Sequence, residues 1–119
     1  MTVDQDFKRK LDSIAKQWAA GEVEDEWLFD DFRTSDVGKL NPEQALANMR
    51  LIFSILDRYD DESTVTELVE TLICLARQSA TTEPVEELLR SKSLLEQQFS
   101  EYGEYAKHKL SELFRYYRL

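Results

Sequence analysis

Cysteine, histidine, proline and glycine are all scarce in this chain of 119 residues, and each scarcity removes a class of explanation. A single cysteine, Cys74, excludes an intrachain disulfide. It lies in the apolar run LVETLICLA, where a small buried residue fits, and no flanking base or oxyanion donor turns the thiol into a nucleophile. A nucleophile–base pair normally needs a histidine, and the only one, His108, stands between Lys107 and Lys109 on a helical stretch and reads as a surface residue. Glu104 shares its face, yet the repeated Glu-x-x-His pairs of a carboxylate-bridged metal bundle are missing. The run DRYDDE lacks the alternate oxygen ligands and central glycine of a calcium loop, and no glycine-rich phosphate loop occurs. The expectation is a protein that is not an enzyme and holds no metal or cofactor.

Cations are in short supply too: 15 Lys and Arg stand against 24 Asp and Glu, for a formal charge of −9. Nucleic acid as the main ligand would need the opposite balance, because phosphate binding works through Lys and Arg that displace counterions. An anionic membrane surface is disfavoured for the same reason. No run of about 18 apolar residues is present to span a bilayer, and the beginning MTVDQDFKRK has no apolar signal-like core, so the reading places the chain in the cytoplasm.

What is present is helical. Three glycines and two prolines favour helices with short connections over a turn-rich sheet, and 42% hydrophobic residues suffice for one core, so residues 1 to 119 read as a single all-α domain. The first helix spans about 17 residues from a capping box at Thr2 and Gln5 to a stop at Gly21, with Phe7, Leu11, Ile14 and Trp18 on one stripe. A short helix follows near residues 23 to 32, then a loop through Ser35, Asp36 and Gly38. Asn41-Pro42-Glu43-Gln44 is the clearest helix start, and that helix, to about Tyr59, reads as the central packing element. A more broadly apolar helix begins near Ser63 or Thr64. After a break at residues 79 to 84, with a cap from Thr81 or Thr82, apolar spacing continues for over thirty residues from Val85. Ser91-Lys92-Ser93 predicts a break there, and Gly103 offers a competing bend. Residues 42 to 80 and 83 to 117 each have hairpin size without the marker residues of helical repeats. The architecture expected is an irregular bundle of five or six helices, with helical hairpins as candidate units.

The stretch most unlike an ordinary helical protein is EVEDEWLFDDFRTSD, residues 22 to 36. Seven acids there meet one base, Arg33, and Trp27, Leu28, Phe29 and Phe32 sit among them. Carboxylates resist desolvation and exposed aromatics suit burial by a partner, so the mixture fits a surface that recognises a basic protein. The plainer reading is that Trp27, Leu28 and Phe32 anchor the helix on the core while the acids form its wet face. A second acidic cluster lies at residues 57 to 62. The partner-binding candidates are Glu24, Asp25, Glu26, Trp27, Phe29, Asp30 and Asp31, with Asp60, Asp61 and Glu62. The last seventeen residues are basic by comparison and also suit an intramolecular role, set against the acidic stretch. Tyr102, Tyr105, Tyr116 and Tyr117 add aromatic groups able to serve as interface anchors.

With Glu22, Glu24, Asp25, Glu26, Trp27, Asp30 and Asp31 in one cluster and Asp57, Tyr59, Asp60, Asp61 and Glu62 in another, the chain resembles the small acidic all-helical immunity proteins that bacteria make against toxic nucleases, as in colicin and contact-dependent inhibition systems. The likeness is one of composition over the whole chain. The Tyr-Tyr-Pro element of the helical colicin immunity proteins is not reproduced, since Tyr116-Tyr117 is followed by Arg118. The resemblance implies an inhibitor that binds a basic toxin domain by charge complementarity. The alternative from composition alone is a helical adaptor or regulatory subunit that takes a partner helix in an apolar groove.

Overall fold

The computed structural model describes residues 3–21 and 27–119, with side chains from Asp6 onward in the first segment. Among these residues six α-helices and one 3₁₀ turn succeed one another and no strand occurs, which gives the all-α bundle expected. They are α1 (Val3–Ala19), α2 (Leu28–Ser35), the 3₁₀ turn Val37–Lys39, α3 (Pro42–Leu56), α4 (Glu62–Ser79), α5 (Glu86–Phe99) and α6 (Glu104–Tyr116).

Local chemistry accounts for most of the boundaries. Gly21 takes φ +71° just past α1, the left-handed conformation that glycine adopts without a Cβ penalty. The Asn41 side chain accepts from the Gln44 N–H at 2.8 Å while Gln44 Oε1 accepts from the Asn41 N–H at 3.0 Å, a complete capping box with Pro42 in the first turn. Asp61 caps α4 through Oδ2, 3.0 Å from the Thr64 N–H. The box expected at Thr2 and Gln5 lies outside the described residues.

Several expectations need correction. The second helix is displaced: α2 begins at Leu28 and ends at Ser35, and a 3₁₀ turn replaces the loop through Gly38. No break occurs at Ser91-Lys92-Ser93. Leu88, Leu95 and Phe99 hold one buried stripe through that triplet, and an exposed serine costs a helix only a few tenths of a kcal/mol, too little to end it. The chain breaks instead at residues 100 to 103, with Gly103 as the N-cap of α6. Neither Thr81 nor Thr82 caps α5, which starts after Val85; Thr81 Oγ1 accepts from the Glu83 N–H in a local turn.

The centre of the bundle is α4, not α3. It packs against α1, α2, α3 and α6, and its buried residues run round most of the helix from Val65 to Ala76. The α3–α4 and α5–α6 pairs pack as the two expected hairpins. One apolar cluster collects side chains from all six helices. Tyr117 is inside it with its hydroxyl 3.2 Å from Met49 Sδ, while its neighbour Tyr116, half buried, donates to the Ala76 carbonyl at 3.0 Å.

At the end of α4 stands Ala80, with φ 57° and ψ 27°. A left-handed alanine is disfavoured by about 1 kcal/mol, part of which glycine returns through its freer unfolded chain. Ala80→Gly is therefore expected to raise unfolding free energy by about 0.5 kcal/mol, measured by urea titration, with unchanged helix content.

Candidate functional site

Trp18 links α2 to the start of α4. Its indole N–H donates to Ser63 Oγ at 2.8 Å, at the start of α4, and its ring stands edge-on to Phe29 of α2 with centroids 5.1 Å apart. The phase of α2 decides which aromatics stay outside. Phe29 and Phe32, three apart, share the inward face, so Phe29 is 1% exposed. Trp27, at the N-cap position, stays 59% exposed. Assignment of Phe29 to the partner surface is thus corrected: it is a core residue. Glu24, Asp25 and Glu26 lie outside the described residues.

Between α2 and α4 lies a charged network that carries the site. The Arg33 side chain, 9% exposed, makes ion pairs with Asp30 at 2.5 Å, Glu67 at 3.2 Å and Glu70 at 3.2 Å. It also donates to the Glu67 carbonyl at 3.2 Å, and its guanidinium carbon lies 5.7 Å from the Phe29 ring centroid. Burial works against its charge, but the hydrogen bond with Asp30 and the field of Glu67 and Glu70 outweigh it and hold the guanidinium protonated. From the other side α6 contributes Lys109, 3.6 Å from Glu70, and Tyr105, whose hydroxyl donates to Glu70. Lys109 also pairs with Glu112, which Arg77 reaches at 2.9 Å. The basic C-terminal helix therefore meets Glu70 of α4, whereas no ion pair among the described residues joins it to the acidic stretch at residues 27 to 36.

That pairing divides the acids into two sets. Asp30, Glu67 and Glu70 are ion-paired within the molecule, all three to Arg33, and Asp36 pairs with Lys10 at 2.9 Å. Asp31, Asp57, Asp60, Asp61 and Glu62 are exposed and form no ion pair among the described residues. Backbone groups hold the last two instead. Asp61 caps α4, and Glu62 Oε1 accepts from the Gly103 N–H at 3.1 Å. Tyr102 donates to the Asp60 carbonyl at 2.6 Å and pins this corner to the α5–α6 turn.

No family model, curated protein or solved structure matches the chain. The arrangement has to be read from its own chemistry. A shallow pocket of about 350 Å³ opens beside the network, lined by Glu62, Ser63, Thr66, Glu67 and Tyr105. Sequence reasoning reached Glu62 and named Tyr105 among possible anchors, but missed Thr66, Glu67 and the bridging role of Arg33. The one available sign was that Arg33 is the sole base in its acidic stretch.

Glu67 marks where this network is under-compensated. Burial, with Glu70 beside it, pushes its carboxyl from 4.5 up to about 7 despite Arg33. The folded state then binds more protons than the unfolded chain between those values, so stability falls as pH rises through that window and the charged group is a cost above it. Glu67→Gln is expected to be more stable than the natural chain by about 2 kcal/mol near pH 8, with the gap closing toward pH 5. Urea denaturation at both pH values checks this; parallel stabilities would show that Glu67 is ionised throughout.

Proposed function

We propose that this protein is a protein-binding inhibitor of the immunity type, acting in the bacterial cytoplasm on a basic toxin domain such as a nuclease, without catalysis of its own. The observation that carries the reading is the set of exposed acids, Asp31, Asp57, Asp60, Asp61 and Glu62, that no lysine or arginine among the described residues neutralises. Two exposed aromatics flank them, Trp27 and the 63% exposed Tyr105. Such a field steers a cationic protein onto the face and sets its orientation, while the aromatics supply the apolar area that lengthens residence. A nuclease needs a positive cleft for its substrate, and an acidic body with anchoring aromatics is suited to cover one.

The adaptor reading has less support. Its best feature is the pair of exposed leucines on α5, Leu89 and Leu94, yet residues five apart on a helix point about 140° away from one another and line no common groove.

The test uses an isosteric variant, Asp31→Asn with Asp60→Asn and Asp61→Asn. Asparagine keeps the cap at position 61, so the fold is retained while three charges go. Basic proteins retained on the natural chain from a lysate of its source are identified, and the purified pair is studied by surface plasmon resonance. Association is expected to slow about tenfold in the variant and to lose most of its salt dependence. An unchanged rate with unchanged salt slope would refute the assignment of this face, and failure of co-expression to relieve the toxicity of the captured protein would refute the inhibitor role.

A further inference from the structure

Where α2, α4 and α6 meet, the ion pairs leave one carboxylate over. Asp30, Glu67, Glu70 and Glu112 meet only Arg33, Lys109 and Arg77 in ion pairs among the described residues. Arg77 takes Glu112, Lys109 divides itself between Glu112 and Glu70, and Arg33 is shared by Asp30, Glu67 and Glu70. The Glu67 and Glu70 side chains are only 21% and 15% exposed, so water does little to compensate the surplus charge.

Glu67 and Glu70, three apart on α4, share a face and bond to the same guanidinium. They also lie within hydrogen-bonding reach of one another, a contact that needs a proton on one of the two. Glu70 already accepts from the Tyr105 hydroxyl and faces Lys109, which favours its ionised form, so the proton belongs on Glu67. Its carboxyl is raised to about 7 in keeping with that placement. The charged and titratable groups around Glu67 are Asp30 and Arg33 of α2, Glu62 and Glu70 of α4, and Tyr105 and Lys109 of α6, with Cys74 one turn beyond Glu70. The Tyr105 hydroxyl is pushed up to about 12 by its bond to Glu70, and burial raises the Cys74 thiol above 9.0, so neither titrates near neutral pH.

The element that covers this pair is the shortest helix of the bundle. Eight residues are too few to hold α2 as an independent helix, and Arg33 with Phe29 and Phe32 is what seats it on its neighbours. We infer that α2 is a proton-operated latch: it sits on α4 while the Glu67–Glu70 pair keeps one proton beside Arg33, and it lifts more often once that proton leaves, carrying Trp27 and Asp31 with it. Lifting α2 returns Glu67 to water and toward its ordinary value of 4.5, so the seated form binds the proton more tightly. Opening therefore becomes easier as pH rises from about 4.5 through about 7 and levels off above that. The latch is a property of the chain alone and does not depend on the inhibitor reading.

The experiment is native-state amide hydrogen exchange of the full chain, followed by NMR and corrected for intrinsic exchange. Protection of the α2 amides, such as Asp36 N–H on the Phe32 carbonyl, is expected to fall about tenfold from about pH 6 to about pH 8. Its urea dependence should be much shallower than that of core amides such as Ile52 of α3, because a local opening exposes little surface. Glu67→Gln keeps the shape of the side chain without the titrating proton, and its α2 protection should not change over this range. His108→Gln, which removes the sole histidine, should leave the tenfold fall intact. The Glu67 carboxyl carbon should titrate with a midpoint at about 7. Loss of α2 protection only together with Ile52 and with the same urea slope would overturn the separate opening. Equal protection at both pH values, a fall that survives Glu67→Gln or disappears in His108→Gln, or a Glu67 midpoint near 4.5 would overturn its link to this proton.

Discussion

Arg33 is the interaction on which this side of the bundle depends. Its guanidinium is the one cation among the described residues placed between α2 and α4, and it bonds to carboxylates on both helices as well as to the Glu67 carbonyl. A short helix of eight residues contributes little packing area and is marginal without tertiary contacts. Phe29 and Phe32 supply the apolar contact, and the ion network fixes the rotation of α2 about its axis. Removing one member of such a network strands the others in a poorly solvated place, which gives the arrangement its specificity more than its net stability. The exposed positions of Trp27, Asp30 and Asp31 follow from that rotation.

How much of this was legible in the sequence varies by residue. Asn41-Pro42 and Gly21 announced their structures because the signal is local: a cap, a fixed φ, a missing Cβ. The choice between Ser91-Lys92-Ser93 and Gly103 depended on whether Leu88, Leu95 and Phe99 share a stripe that packing rewards, and local propensity cannot supply that. The exchange of Trp27 and Phe29 has the same origin. Both are aromatic and close to acids, and only the starting residue of α2 decides which one faces the core. Glu67 was invisible because its meaning lies in a long-range neighbour, Arg33, on a helix that pattern analysis cannot orient.

The acidic composition also takes on a different meaning once positions are known. An excess of nine negative charges spread evenly would merely keep the chain apart from its copies. Here Arg33, Lys109 and Arg77 pair with Asp30, Glu67, Glu70 and Glu112, acids at the contacts of α4 with α2 and α6. Those at the start of α4 go without cations among the described residues.

Such acids need another source of stabilisation, and backbone N–H groups provide it. Asp61 sits at the positive end of α4, where a carboxylate is favoured by the helix dipole and by its bond to Thr64. Glu62 takes the N–H of Gly103 at the start of α6, so the same corner uses a second helix beginning. Backbone dipoles steady a carboxylate without cancelling its charge, whereas a lysine or arginine would do both. Two helix starts therefore let this corner keep its acids ordered and still negative toward solvent.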